Sequence, residues 1–172
     1  TGRPARYSAE ETETAFLVEE FLRWLGEVES APPARAKAGG RPWFAHLSFI
    51  RPHPPFIVPE PYASMYDPDW EGPHLIWPPY VQGGIEKGVI DARQARQIRA
   101  SYGGKLTMID KWFGRILDEI DAHDLWDDTL VILCTDHGHY LGEKDIWGKP
   151  GVPVYEPLGH IPLMIAHPGI AP

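Results

Sequence analysis

The sequence is short of cysteine, of long apolar runs and of positive charge, and each shortage removes a class of protein. Its 172 residues hold one cysteine, Cys134, so no internal disulfide can staple the fold and Cys-rich zinc modules are excluded. No apolar stretch approaches the roughly 20 residues of a membrane-spanning helix. Lys and Arg number 16 against 24 Asp and Glu, for a formal net charge of -8. A nucleic-acid binder would carry a basic stripe, and none is visible. An anionic ligand must therefore be held by a local site that opposes the field of the whole chain. Internal repeats and low-complexity tracts are absent. Thr1 to Pro4 lack the pattern of a secretory leader, and the compartment is left open, with the cytoplasm favoured.

What is present reads as a globular domain, with 43% hydrophobic and 23% charged residues. Its 19 prolines are interleaved with aromatic residues, 7 of them tryptophan, which predicts ordered loops over a site rather than disorder. Ser8 followed by Glu11 has the form of a capping box, and Phe16, Leu17, Phe21, Leu22 and Leu25 then mark a helix that stops near Gly26. Residues 31 to 41 read as an exposed connection. The run from Trp43 to Ile50 predicts a buried strand, closed by the rigid loop Arg51-Pro52-His53-Pro54-Pro55-Phe56. Residues 57 to 88 predict a long ordered excursion.

A second capping box, Asp91 with Gln94, opens the strongest helix signal, in which Tyr102, Leu106, Ile109, Phe113, Ile116 and Ile120 recur at spacings of three and four. Gly103-Gly104 inside it points to a kink or close packing. Thr129 to Cys134 predicts a buried strand, with Cys134 a small buried hydrophobe, and Pro162 to Ala166 is a third strand candidate. Strands alternating with helices imply an α/β layered fold: one sheet holding Phe44–Phe49, Val131–Cys134 and Leu163–Ala166, with the long helix packed on it through Leu106, Ile109, Phe113 and Ile116.

The chemistry concentrates after the 129–134 strand, in Thr135-Asp136-His137-Gly138-His139. Ligands in open α/β sheets bind at the carboxyl ends of strands, and a carboxylate beside an imidazole suits a divalent metal. Alone, the Asp-His pair could equally cap the next turn. Downstream, Leu141-Gly142-Glu143-Lys144-Asp145-Ile146-Trp147-Gly148-Lys149 sets a lysine 13 positions after Asp136.

Over roughly residues 10 to 170 the chain resembles the sulfatases of the alkaline phosphatase superfamily. The stretch from Asp128 to Lys149 carries the resemblance, and Glu156 and Ile161-Pro162-Leu163 extend it. Within that family the phosphonate monoester hydrolase branch fits best, through Arg51 to Phe56, Pro61-Tyr62, Met65-Tyr66 and the strand-terminal Asp-His. The resemblance implies a partial alkaline-phosphatase-like mixed sheet flanked by helices. It also implies Asp136 and His137 as metal ligands, Lys149 on the sulfuryl or phosphoryl oxygens, and His53 as donor to the leaving group or a non-bridging oxygen. Lys149 as a plain surface lysine and His53 as a backbone-bonded loop histidine remain the alternatives. His46, His139 and His160 are expected to be structural or to support the ligands, and the family pattern has Glu at 139 and Arg at 160.

The implied cofactors are a divalent metal ion (Ca2+ or Mn2+, then Zn2+ or Mg2+) and a formylglycine nucleophile made from Cys or Ser in a Cys/Ser-x-Pro/Ser-x-Arg motif. No such motif occurs in these residues, and Ser8, Ser30, Ser48, Ser64 and Ser101 lack its context. Residues 1–172 are thus expected to be a fragment of one catalytic domain whose N-terminal part carries the nucleophile. The expected substrate is a small anionic ester, with no nucleic-acid partner, no membrane span and a homo-oligomer of the parent left open. Two rivals stand beside this reading: a phosphatase or phosphomutase of the same superfamily, and a degenerate, non-catalytic module.

Overall fold

The computed structural model describes residues 5–30, 42–67, 69–72, 75–151 and 153–170; the predicted connection at 31–41 lies outside them. The first capping box forms, with Ser8 N–H donating to Glu11 Oε2 at 2.8 Å ahead of a short 3-10 turn, Ala9–Glu11. Helix α1 then spans Glu13–Ser30 and runs through Gly26 rather than stopping there. A side chain at 26 would meet nothing within 4 Å, so this glycine answers no packing demand and costs the helix only about 1 kcal/mol. Phe16 points to solvent, and the buried positions are Thr14, Ala15, Val18 and Leu25.

Helix α2, Ala92–Ala122, begins where the second capping box places it: Gln94 N–H donates to Asp91 Oδ1 at 2.6 Å, and Gln94 Oε1 accepts from Asp91 N–H at 2.9 Å. It is the spine of the fold. Its buried stripe, Ile98, Ser101, Lys105, Met108, Trp112, Ile116 and Ile120, lies one position away from most of the predicted apolar series. Met108, Trp112, Ile116 and Ile120 pack with Val18 and Leu25 of α1 and with Val58 and Tyr62. Leu106 is 46% exposed, and with Ile109 and Phe113 it lines an open apolar groove of about 420 Å³ shared with Phe49 and Leu133. The predicted face does look toward the strands but is only half covered. The glycine pair marks close approach: a Cβ at Gly104 would sit 2.2 Å from the Tyr62 carbonyl oxygen.

The strands are β1 (Val81–Gln82), β2 (Val131–Cys134), β3 (Tyr140–Leu141), β4 (Ile146–Gly148) and β5 (Leu163–Ala166). As expected, β2 and β5 share a sheet; they pair antiparallel, with Val131 opposite Ala166 and Cys134 opposite Leu163, but β5 is exposed along its length rather than buried. Residues 42–50 do not join that ladder. They alternate exposed and half-buried as an extended run does, with Trp43, Leu47 and Phe49 packed on the α1–α2 core. The period of two was readable, but pairing needs a neighbouring backbone at about 4.8 Å, and among the described residues none lies there. Cys134 is exposed, not buried: β2 alternates, and Ile132 and Cys134 fall on its open face. A second, unpredicted sheet has the order β1-β4-β3.

The proline-rich excursion is ordered by long-range bonds to α2. Asp67 is buried and takes a two-pronged contact from Arg96, one prong of which is Arg96 Nε–H to Asp67 Oδ2 at 2.9 Å. Leu75 N–H donates to Gln97 Oε1 at 2.6 Å. The close approach at Gly104 yields a paired expectation for the intact protein under chemical denaturation. Gly104→Ala should destabilise it by roughly 1–3 kcal/mol through overpacking. Gly114→Ala, where a Cβ meets nothing within 4 Å, should stabilise it by about 0.5–1 kcal/mol.

Candidate active site

The end of β2 feeds directly into Thr135–His139. Asp136 Oδ1 accepts from His137 N–H at 2.9 Å. His137 Nδ1 lies 2.8 Å from the Gly138 carbonyl oxygen, which can only accept, so Nδ1 carries the proton and Nε2 presents its lone pair. That lone pair is 3.0 Å from Lys149 Nζ, and Nε2 is 3.2 Å from Asp136 Oδ2. The 13-residue spacing is bridged by a hairpin: β3 pairs with β4, with Tyr140 opposite Gly148, and folds Lys149 back over His137. Gly138 is required here, because its N–H donates to the Leu158 carbonyl at 2.8 Å and a Cβ would lie 1.9 Å from the Pro157 carbonyl oxygen. The brace is the short helix α3, Glu156–Gly159.

Asp136 is mostly exposed, at 81% of its side chain, and His137 is 39% exposed. Slight burial works to raise the Asp136 carboxyl, but the His137 N–H and ring and the Lys149 charge outweigh it, and its pKa lies below the usual value. Such a carboxylate is ready to accept a cation. A metal position fits this pair in part: an ionised carboxylate oxygen and an imidazole lone pair face one another from a fixed tautomer. Among the described residues no group of three or more His, Cys, Asp or Glu completes a shell, whereas protein metal sites usually use at least three ligands.

His53 follows the extended run. Its N–H donates to the Ile50 carbonyl at 3.1 Å and its Nδ1 lies 2.7 Å from the Pro54 carbonyl, which leaves Nε2 as the ring atom available for proton exchange. His53 makes no bond to the Asp136–His137–Lys149 trio among the described residues. The two halves of the site meet at His139. Its ring stacks on Tyr102 at 5.8 Å between centroids and touches Phe56 at 5.7 Å and Tyr80 at 5.9 Å. Its Nε2 is buried without a hydrogen-bond partner among the described residues. Burial, then the charges of Lys149, His53, His137 and Lys105, push the imidazole down to about 4. Four basic side chains thus bear on one buried ring. His46 is exposed on the extended run, and His160 Nδ1 pairs with Glu156 Oε2 at 2.8 Å on the surface.

Two features escaped the sequence reading. The Phe56–Tyr80–Tyr102 enclosure joins residues from three separate segments, and nothing local announces it. Lys105 was findable, since it falls at a buried position of the α2 stripe, where lysine is out of place unless it has partners.

The sulfatase family model matches residues 2–172. This chain belongs to the sulfatase family. Among solved structures, this sulfatase-family chain is similar to the phosphonate monoester hydrolase of Agrobacterium radiobacter, with a TM-score of 0.73 and 34% identity over 96% of this chain and 35% of that one. The Silicibacter pomeroyi phosphonate monoester hydrolase gives 0.72 and 30%, covering 99% and 38%. It is 33% identical to a multifunctional alkaline phosphatase superfamily protein, PehA, of Trinickia caryophylli, over 88% of this chain and 32% of the relative. It is 29% identical to a choline-sulfatase of Rhizobium meliloti, over 93% and 32%. The sulfatase-family chain therefore spans about a third of the length of these relatives. No described helix is long and apolar enough to cross a membrane.

The site also predicts a pH dependence. His139 titrates lower in the native state than its ordinary 6.5, so between about pH 6.5 and 4 the unfolded chain binds more protons. Stability from this residue should be fully present above that window, fall as the pH drops through it, and level off below. Urea unfolding of the intact, metal-free protein from pH 4 to 8 should show this slope reduced in His139→Phe.

Proposed function

We propose that the protein hydrolyses small anionic esters, namely sulfate esters or phosphonate and phosphate mono- or diesters, with a divalent cation held in part by Asp136 and His137. The observation that carries the reading is the meeting of Asp136, His137 and Lys149 at the end of β2, with Asp136 and Lys149 each within hydrogen-bond reach of His137. The relatives' names, phosphonate monoester hydrolase and choline-sulfatase, support the substrate class.

The roles follow from the chemistry of each group. When bound, the cation would polarise the ester and stabilise negative charge. Asp136 and His137 supply two ligands, and the fixed Nδ1–H tautomer keeps His137 Nε2 turned to that task. Lys149 directs a point charge at the non-bridging oxygens, where charge develops in the transition state. In the present geometry it occupies the His137 lone pair, so binding an anion would draw its ammonium away from that ring. His53 donates a proton through Nε2 to the departing oxygen. The nucleophile and the remaining ligands come from outside residues 1–172, which form part of a single catalytic domain.

The test is turnover of aryl sulfate, aryl phosphonate and phosphodiester substrates by the intact protein, with Mn2+ or Ca2+. Asp136→Ala should lower metal content, and should lower turnover by more than the roughly 10–100-fold that loss of an outer-shell partner costs. Residues 1–172 alone should be inactive, because groups that act as one catalytic unit are strongly non-additive. Metal-dependent turnover by residues 1–172, abolished by Asp136→Ala, would refute an external nucleophile. An intact protein without turnover on any of these esters would favour the non-catalytic module.

A further inference from the structure

Lys105 takes no part in the chemistry assigned above, yet it is the most unusual side chain in the fold. It is a lysine with 0% exposure, at the middle of α2. An ammonium group has three N–H donors. Here all three have acceptors, and all three acceptors belong to one loop: the carbonyl oxygens of Pro52 at 3.3 Å, His53 at 2.6 Å and Pro55 at 2.8 Å. The Pro52 carbonyl belongs to the peptide group before the His53 Cα, and the His53 carbonyl to the one after it. Both peptide planes that flank His53 are therefore held by the same nitrogen, 50 residues or more away in the chain. The ring is fixed in turn, because His53 Nδ1 bonds to the Pro54 carbonyl inside the same clamp. Phe56, with Lys105 Nζ 5.1 Å from its ring centroid, closes the clamp and also touches His139.

We propose that Lys105 is a positioning residue for leaving-group protonation: its ammonium sets the backbone of the Pro52–Pro55 loop and thereby aims the His53 ring at the departing oxygen. The proposal rests on His53 being the proton donor. Alternative uses of Lys105 are closed off by its surroundings. It cannot reach a substrate from a fully buried position, and no carboxylate bonds to it among the described residues, so it is not one half of an ion pair. Two other charged side chains bear on it, Arg51 of the same loop and Glu13 of α1. Arg51 is occupied separately, with Nη1 donating to the Ile57 carbonyl at 3.0 Å. The ammonium form is the one that satisfies three carbonyls; burial and then Arg51 oppose it, Glu13 favours it, and the net effect lowers the pKa to about 7.

The experiment measures kcat of the intact protein on aryl esters whose leaving groups range from nitrophenol-like to phenol-like. His53→Ala should lose about 10²–10⁴-fold on the poorest leaving group and little on the best. Lys105→Met keeps the length and apolar bulk and removes the donors. It should show the same selective loss, on the order of tenfold or more, because a displacement of about 1 Å is costly at a reacting centre. Lys105→Gln, which restores two donors, should recover part of it. The double variant should be no worse than His53→Ala alone. A loss that is uniform across leaving groups, or that multiplies with His53→Ala, would overturn the positioning role while leaving His53 as the acid. A flat response of His53→Ala itself would remove the acid assignment and the positioning role with it. If both Lys105 variants fail to fold while His53→Ala folds, Lys105 is a core-stability residue and the proposal is overturned.

Discussion

A single buried ammonium ties the longest helix to the loop beside the site, and much of the architecture is arranged around that contact. Lys105 reaches the Pro52–Pro55 carbonyls because α2 lies unusually close to the residues that follow them. The closeness is set by Gly104, where the Tyr62 carbonyl occupies the space of a side chain. Burying a charge without partners is expensive, and three carbonyl acceptors are what make this one tolerable. The same helix anchors Asp67 through Arg96, Leu75 through Gln97 and the Leu141 carbonyl through Arg99 at 2.8 Å. One rigid element thus sets the positions of the proline-rich excursion and of the hairpin that returns Lys149.

Charge is distributed against the average of the chain. The net value is -8, yet Lys149, Lys105, His53 and His137 all act on the neutral ring of His139. Lys149 places a positive charge at the end of β2 in a chain whose net charge is negative. The aromatic rings around His139 exclude water and so favour its uncharged form. Asp136 is the counterweight, and its mostly exposed carboxylate is the group a cation would meet.

The sequence was most informative where neighbours three or four residues apart decide the outcome. Both capping boxes, the long helix and the strand ending at Cys134 could be read directly, because caps and periodicity are local. The Asp136, His137 and Lys149 cluster was legible from a motif and a spacing, and the β3–β4 hairpin explains why that spacing brings Lys149 onto His137. The side of α2 that is buried was misjudged by one position, because Leu106, Ile109 and Phe113 are as apolar as Met108 and Trp112. Which of two adjacent apolar stripes is covered depends on what packs there, and α1 and Tyr62 come from elsewhere in the chain.

By itself, then, the sequence determined the two long helices, the strands β2 and β5, the family and the closeness of Asp136, His137 and Lys149. Tertiary structure alone decided that the 42–50 run makes no ladder among the described residues, that Cys134 lies on an open face, and that Lys105 clamps the loop of His53. The physical reason is range. A helix or a turn is specified by bonds within a few residues, whereas the β2–β5 ladder, the aromatic enclosure and the buried ammonium are specified by groups from separate segments of the chain. Their meeting leaves no periodic trace in either segment.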